Sequence, residues 1–184
     1  MYENKLWVFD DIINKDLQEN IKSKLTDNSF PWYFIKDITD GKKGKQLRPG
    51  FEHLYVRNYN VNSKYHEMML PILDSACEKI GFNYSKIFLG RSFLQLPLGL
   101  EDTKRDTPHT DWNEKHLVVL YYVMDSDGDT VIYNEQDIPE NKKLTVKKTV
   151  TPKQGRVVIF DGRYWHTAEQ PKYNTRLIIN YNLV

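Results

Sequence analysis

From residue 86 onward the chain runs in short β-branched and aromatic segments, and their density constrains the fold more than any other feature of the sequence. KIFLGRSFLQLPL (86–98), HLVVLYYVMD (116–125), DTVIY (129–133), KLTVKKTV (143–150), GRVVIFD (155–161) and TRLIINYNLV (175–184) are six such runs, with a shorter one at 165–168. Polar clusters such as SDGD (126–129) and TPKQG (151–155) punctuate them, as turns do between paired strands. Strands this short bury their apolar faces by stacking two sheets or closing a barrel. The expected fold class is mainly β with helices (α+β), the helices packing on the outside.

Those helices lie upstream. After a short apolar run, Lys5 to Phe9, Asn14 can cap a helix reaching about Leu25, with Leu17, Ile21 and Leu25 at helical spacing. FPWYFIKDI (30–38) and FEHLYVRN (51–58) read as strands on either side of the glycine- and lysine-rich loop TDGKKGKQLRPG (39–50). A helical region spans about Ser63 to Lys79, and Pro71 is expected to open a second helix at its first turn. The chain has no internal repeat. Its 184 residues suit one domain, in which 1–84 form a strand-helix support region and 85–184 the core carrying the site.

Composition narrows the function. A formal net charge of +1 gives no long-range field for nucleic acid or an anionic membrane. No apolar run nears the roughly 18 residues of a membrane span, and MYENKLWVFDDIINKD is acidic where a secretory leader is basic. With Cys77 the only cysteine, no intrachain disulfide can form, and a reducing cytoplasm is the expected location. Cys77 itself reads as a small hydrophobe on a helix, with a reactive thiol as the alternative.

The chemistry is concentrated in three places. PHTDW (108–112) puts His109 and Asp111 at i and i+2, which leave an extended backbone on the same face. FDGRYWHTAEQ (160–170) supplies His166 after the apolar run VVIF, and Arg176 follows ten residues later at the head of the final run. Two histidines and one carboxylate occupy one face of an octahedral metal and leave adjacent positions open, as in non-haem Fe(II) oxygenases. Such a site still attracts an anionic bidentate ligand. Arg176 is the residue type that pairs with a second carboxylate, so a dicarboxylate could bridge metal and arginine. Taken singly, each residue has a blander reading: Asp111 capping a turn, His166 as a satisfied half-buried histidine, Arg176 in a surface ion pair.

Together these residues resemble the iron(II)- and 2-oxoglutarate-dependent dioxygenase superfamily, and within it the small prolyl-4-hydroxylase-like members of bacteria and phages. YYVMDSDGDTVIY (121–133) is similar to that group's tyrosine-rich strand and glycine-acid-threonine turn, and TPKQGRVVIFDGRYWH (151–166) to its strand leading to the distal histidine. The resemblance covers about residues 85–184. It implies a double-stranded β-helix (jelly-roll or cupin-like) core, Fe(II) held by His109, Asp111 and His166, and 2-oxoglutarate held by Arg176. It also implies O2 as co-reactant and ascorbate as reductant. The implied reaction hydroxylates an unactivated C–H bond while 2-oxoglutarate is oxidatively decarboxylated to succinate and CO2. Halogenating relatives lack the carboxylate ligand, so Asp111 points to hydroxylation. Many relatives have a serine or threonine two residues after the arginine, where this chain has Ile178; Gln95, Tyr121 and Thr130 are the candidates to assist Arg176 instead.

The expected substrate is a prolyl residue of a peptide or protein. The alternatives are the same chemistry on a free amino acid, small metabolite or nucleobase, and a non-catalytic β-barrel metal- or ligand-binding module. Nucleic-acid demethylases of the superfamily carry a second arginine downstream, and no basic residue follows Arg176. The basic stretch 42–48 reads as a solvated loop or a lid over the substrate. His53 sits in a strand pattern, His66 near a helix start and His116 at the start of a core strand with no partner at a useful spacing; Trp7, Trp32 and Tyr33 read as core or edge packing, and Trp112 and Trp165 as packing. Specificity is expected from the loops 39–50, 98–107 and 134–142.

Overall fold

Period-two alternation in the apolar runs is what builds this fold. In the computed structural model, residues 2–38, 47–99, 105–136 and 143–184 are described; most of the three expected specificity loops lies outside them. The elements in order are β1 (Leu6–Phe9), α1 (Lys15–Leu25), β2 (Tyr33–Ile35), β3 (Gly50–Arg57), β4 (Asn60–Val61), α2 (His66–Ile80), β5 (Ile87–Gln95), β6 (Leu117–Tyr122), β7 (Thr130–Tyr133), β8 (Val146–Val150), β9 (Val157–Asp161), β10 (His166–Ala168) and β11 (Arg176–Leu183). The pairings are antiparallel. An eight-stranded sheet runs β1-β9-β6-β11-β5-β3-β2, with β4 on β3, and a three-stranded sheet runs β10-β7-β8.

Odd and even residues of the central strands enter different cores. Leu117, Val119 and Tyr121 of β6, with Ile179 and Tyr181 of β11, pack against Ile21, Leu25, Met69, Ile72 and Leu73 of the helices. Val118, Leu120 and Tyr122, with Ile178, face Ile132 and Val150 of the small sheet. Strands β6, β9 and β11 are buried along their whole lengths because helices cover one face and the second sheet the other. A mainly β core with external helices is therefore what the chain forms. The N-terminal strands join the large sheet directly, β1 on β9 and β3 on β5. Among the described residues, no helix is long and apolar enough to cross a membrane.

Local signals set the helix ends. Asn14 caps α1, its side chain accepting from the Leu17 N–H at 2.9 Å, and α2 ends on Gly81 in the left-handed region at φ 62°. Pro71 corrects the expectation of two helices: it sits inside one continuous helix, α2. An interior proline costs about 3 kcal/mol. Burial of Met69, Ile72 and Leu73, each 0% exposed, outweighs this at about 1.5–3 kcal/mol per side chain. The strand expected over 30–38 is also shorter, only Tyr33–Ile35 pairing with β3.

Pro71→Ala is expected to stabilise the protein by about 2 kcal/mol, the regained helix bond outweighing the unfolded-state entropy that proline removes. A lower midpoint in urea would contradict this. Asp10 ties the end of β1 to the start of β9, accepting from Arg156 at 2.7 and 3.0 Å and from Lys153 at 3.2 Å. The Arg156 hydrogen bonds hold its carboxyl at about 2. A carboxyl depressed on folding stabilises above its ordinary pKa and loses that effect as pH falls through the folded value. Asp10→Asn should thus lower the thermal midpoint near neutral pH, with the difference from wild type vanishing by about pH 2; equal midpoints at all pH would show the clamp to be idle.

Candidate active site

His109 and His166 are brought together by their own backbones. Each N–H donates to the other's carbonyl at 2.9 Å, tying the segment before Asp111 to β10. The imidazole centroids are 4.7 Å apart. Each Nδ1 lies against a carbonyl two residues earlier, Thr107 at 3.1 Å and Tyr164 at 3.0 Å. A carbonyl only accepts, so Nδ1 carries the proton and Nε2 keeps its lone pair. Those Nε2 atoms face Asp111, at 3.7 Å from Oδ1 for His109 and 3.8 Å from Oδ2 for His166. One ligand atom from each of the three residues lies within 4.8 Å of the others, a group that can hold a metal ion.

The Asp111 side chain is buried, 1% exposed, and fixed by donors the sequence reading did not assign. Arg91 on β5 donates to Oδ1 at 3.2 Å and Asn180 on β11 to Oδ2 at 2.9 Å. Asn182, with its amide nitrogen turned toward this acceptor, donates to Oδ2 at 3.1 Å. Burial alone would raise the Asp111 carboxyl. The two imidazoles and the Arg91 guanidinium facing it overcome this, holding the group well below the carboxylate range. Burial pushes the His166 imidazole down to about 4. His109 is raised: surrounding protein lowers it, but the neighbouring Asp111 carboxylate, which favours the protonated ring, outweighs this, and half of its side chain is exposed.

Arg176 is buried in the same cavity, whose volume is about 430 Å³. Nε donates to Gly128 O at 2.9 Å, Nη1 to Gln95 Oε1 at 2.6 Å and Nη2 to Thr130 Oγ1 at 2.7 Å. Gln95 and Thr130 thus stand against the arginine. Tyr121 does not: its hydroxyl is buried on the helix side, without a hydrogen-bond partner among the described residues. Neighbouring Tyr122 faces the site instead, donating to Thr130 Oγ1 at 2.7 Å. The cause is alternation, since Tyr121 is opposite Ile179 and Tyr122 opposite Ile178, on opposite faces of β11.

The turn 126–129 shapes this end. Asp127 accepts from the backbone N–H groups of Lys172, Tyr173 and Asn174 at 3.0–3.1 Å, anchoring the approach to β11. Gly128 packs so closely that a Cβ there would lie 2.7 Å from Glu169 O and 3.0 Å from Arg176 Cδ.

The remaining histidines lie apart from this group. His53 is satisfied by Pro31 O and Ser63 Oγ, both at 2.8 Å, His66 meets the Tyr181 hydroxyl at 3.0 Å, and His116 meets Glu114 O at 2.7 Å. Trp112 stacks on Phe88 with centroids 3.9 Å apart, and Trp32 donates to Leu25 O at 3.0 Å. Tyr33 lies on β2 at the edge of the large sheet and is 65% exposed. Cys77 is buried, which pushes its thiol up to about 11, the inert end of the cysteine range.

Residues 98–184 match the family model described as the 2OG-Fe(II) oxygenase superfamily. No curated protein matches the sequence significantly. Among solved structures, a 2OG-Fe(II) oxygenase family oxidoreductase from Burkholderia pseudomallei is similar with a TM-score of 0.70 at 15% identity, over 98% of this chain and 85% of that one. A Trichoplax adhaerens prolyl hydroxylase, in complex with a hypoxia inducible factor peptide fragment, gives 0.65 at 14% identity over 98% and 84%. The α-ketoglutarate-dependent carbocyclase SnoK of nogalamycin biosynthesis gives 0.70 at 11% identity over 97% and 78%. Identities this low show the double-stranded β-helix fold alone. The family match spans the segment that carries His109, Asp111, Thr130, His166 and Arg176, so just under half of the chain is similar to the 2OG-Fe(II) oxygenase superfamily.

Proposed function

We propose that this protein hydroxylates an unactivated C–H bond, with His109, Asp111 and His166 holding Fe(II) and Arg176 receiving the distal carboxylate of 2-oxoglutarate. The observation that carries the reading is one cavity lined both by three ligand atoms within 4.8 Å of one another and by a buried arginine. The residues suit that metal: two neutral imidazoles and one carboxylate leave neighbouring positions for a bidentate keto acid. Bound there, Fe(II) with O2 and 2-oxoglutarate supplies the oxidising power, and the cosubstrate leaves as succinate and CO2.

The chain's own groups do the rest. Thr107 and Tyr164 carbonyls fix the histidine tautomers, and Arg91, Asn180 and Asn182 orient the carboxylate, a supporting layer that metal sites depend on. Gln95 and Thr130 hold the Arg176 fork, with Tyr122 behind Thr130. Phe93, Leu120 and Ile178 give the cavity apolar walls, which limit water near the reacting bond. Residues 1–184 work as one domain in this reading, the 1–84 support region being paired into the sheet of the 85–184 core. A cytoplasmic location accords with the single buried cysteine.

The substrate in this reading is a prolyl residue of a peptide or protein, supported by the likeness to the peptide-bound Trichoplax enzyme. A small molecule is the second reading, favoured by the likeness to the carbocyclase. Succinate formation measured with peptide, amino-acid, metabolite and oligonucleotide panels separates them: the class that stimulates turnover is the substrate class, and stimulation by oligonucleotides would overturn both.

The site itself is tested by anaerobic titration of 2-oxoglutarate into the Fe(II)-loaded protein, following the visible charge-transfer band of a chelated keto acid. A saturable band is expected, abolished in His166→Ala and shifted to about ten- to hundredfold weaker affinity in Arg176→Ala, the worth of a charged hydrogen-bonded pair. A folded, metal-loaded wild type without the band would instead be a non-catalytic binding module. Gly128→Ala should weaken 2-oxoglutarate about tenfold or more by displacing Arg176, because its Cβ has no room; unchanged affinity would mean the turn does not set the arginine.

A further inference from the structure

The arginine end of the cavity contains an anion where a dicarboxylate is to bind. Asp106 is 8% exposed and lines the same cavity as Arg176. Its backbone is pinned to β10, the N–H donating to Ala168 O at 2.9 Å and the carbonyl accepting from Thr167 Oγ1 at 2.8 Å. The carboxylate is therefore held in place.

Gln95 joins it to the cosubstrate arginine. The Gln95 amide donates to Asp106 Oδ2 at 3.2 Å while its oxygen accepts from Arg176 at 2.6 Å. That orientation is forced, because an arginine only donates and a carboxylate only accepts. On the far side, Arg48 Nη1 donates to Asp106 Oδ1, and its side chain is 4% exposed. Arg48, Asp106, Gln95 and Arg176 thus form one buried row, charged plus, minus, neutral, plus. Asp106 and Asp129 are the carboxylates acting on Arg176, so without Arg48 the uncompensated Asp106 would weaken this end's attraction for an incoming carboxylate. Burial pushes the Asp106 carboxyl up, and Arg48 is the main influence pulling it back.

We propose that Arg48 is a positioning residue for 2-oxoglutarate: by neutralising Asp106 it leaves the charge of Arg176 for the cosubstrate's distal carboxylate. The inference rests on the function proposed above. It departs from a mere clasp between two backbone segments, because a clasp needs both partners whereas charge neutralisation makes Asp106 the liability and Arg48 its remedy.

The test is the dissociation constant of 2-oxoglutarate from the Fe(II)-loaded protein, read anaerobically by the charge-transfer band and by calorimetry, alongside the thermal midpoint of each variant. Arg48→Gln is expected to weaken binding about tenfold or more, since charges separated by a few ångströms in a protein interior interact at that level. Asp106→Asn should bind as tightly as wild type or tighter. The double variant R48Q/D106N should recover to within about threefold of wild type, and Arg48→Lys, which keeps the charge, should do the same. Wild-type affinity in Arg48→Gln overturns the proposal. So does weaker binding in Asp106→Asn, a result that still decides if Arg48→Gln does not fold. A double variant no better than Arg48→Gln also overturns it, leaving a clasp. Absence of the band in wild type is a different failure, removing the oxygenase reading itself and this proposal with it.

Discussion

Two peptide groups do more to make this site than any side chain. The reciprocal hydrogen bonds between His109 and His166, both 2.9 Å, bring together residues far apart in sequence and fix the register between them. A one-residue slip would turn His166 to the opposite face of its strand. Strand β10 is only three residues long and would be marginal alone. It is secured by β7 on one side, and by the His109–His166 and Arg105–Glu169 bridges on the other. Once that register is set, Asp111 is carried to within reach of both rings, and the rest of the site adjusts to those three groups.

The charges then obey one rule at both ends of the cavity. A buried carboxylate costs several kcal/mol in desolvation, while an opposite charge at about 4 Å returns only about 4 kcal/mol at the effective dielectric of a protein. The balance is close, so the accompanying hydrogen bonds decide it. Asp111 has Arg91 together with two asparagines; Asp106 has Arg48 together with Gln95. The ends differ in how the carboxylate relates to the expected ligand. Asp111 presents its charge toward the metal position, whereas Asp106 has its charge consumed by a neighbour.

This contrast also explains what could be read from the sequence. The strands, and the grouping of His109, Asp111, His166 and Arg176 around one cavity as a candidate site, were legible because they depend on local periodicity and on residue types with few other uses at those positions. The two adjacent tyrosines were harder. Since β6 is buried on both faces, hydrophobicity gave no sign of which tyrosine looked toward Arg176, and only pairing with β11 distinguishes Tyr122 from Tyr121. Pro71 misled for a related reason, its local cost being overridden by tertiary burial of the same helix. Arg91, Asp106 and Arg48 carried no local signal at all. They act across 20 residues to Asp111 and across 58 residues between Arg48 and Asp106, and nothing in a single sequence ranks one such charge pair above another.

The last strand supplies the scale that relates the two ends. Arg176, Ile178, Asn180 and Asn182 share one face of β11, and β5 places Gln95, Phe93 and Arg91 opposite the first three in turn. Charged or polar pairs therefore flank a central apolar pair: Arg176 with Gln95 at one end, Ile178 with Phe93 between, Asn180 with Arg91 at the other. Alternate residues on a strand are about 6.8 Å apart, so two steps set about 13–14 Å between the backbone positions that anchor the two ends. Side chains from both positions line one cavity, so the span between the two polar ends is shorter than that between their backbones. The register cannot drift, because β11 is hydrogen-bonded on both edges, to β5 and to β6. Ile178 is then understandable where relatives place a hydroxyl: Thr130, from the other sheet, already supplies the hydroxyl beside Arg176, and the middle of the ruler is left to keep water out.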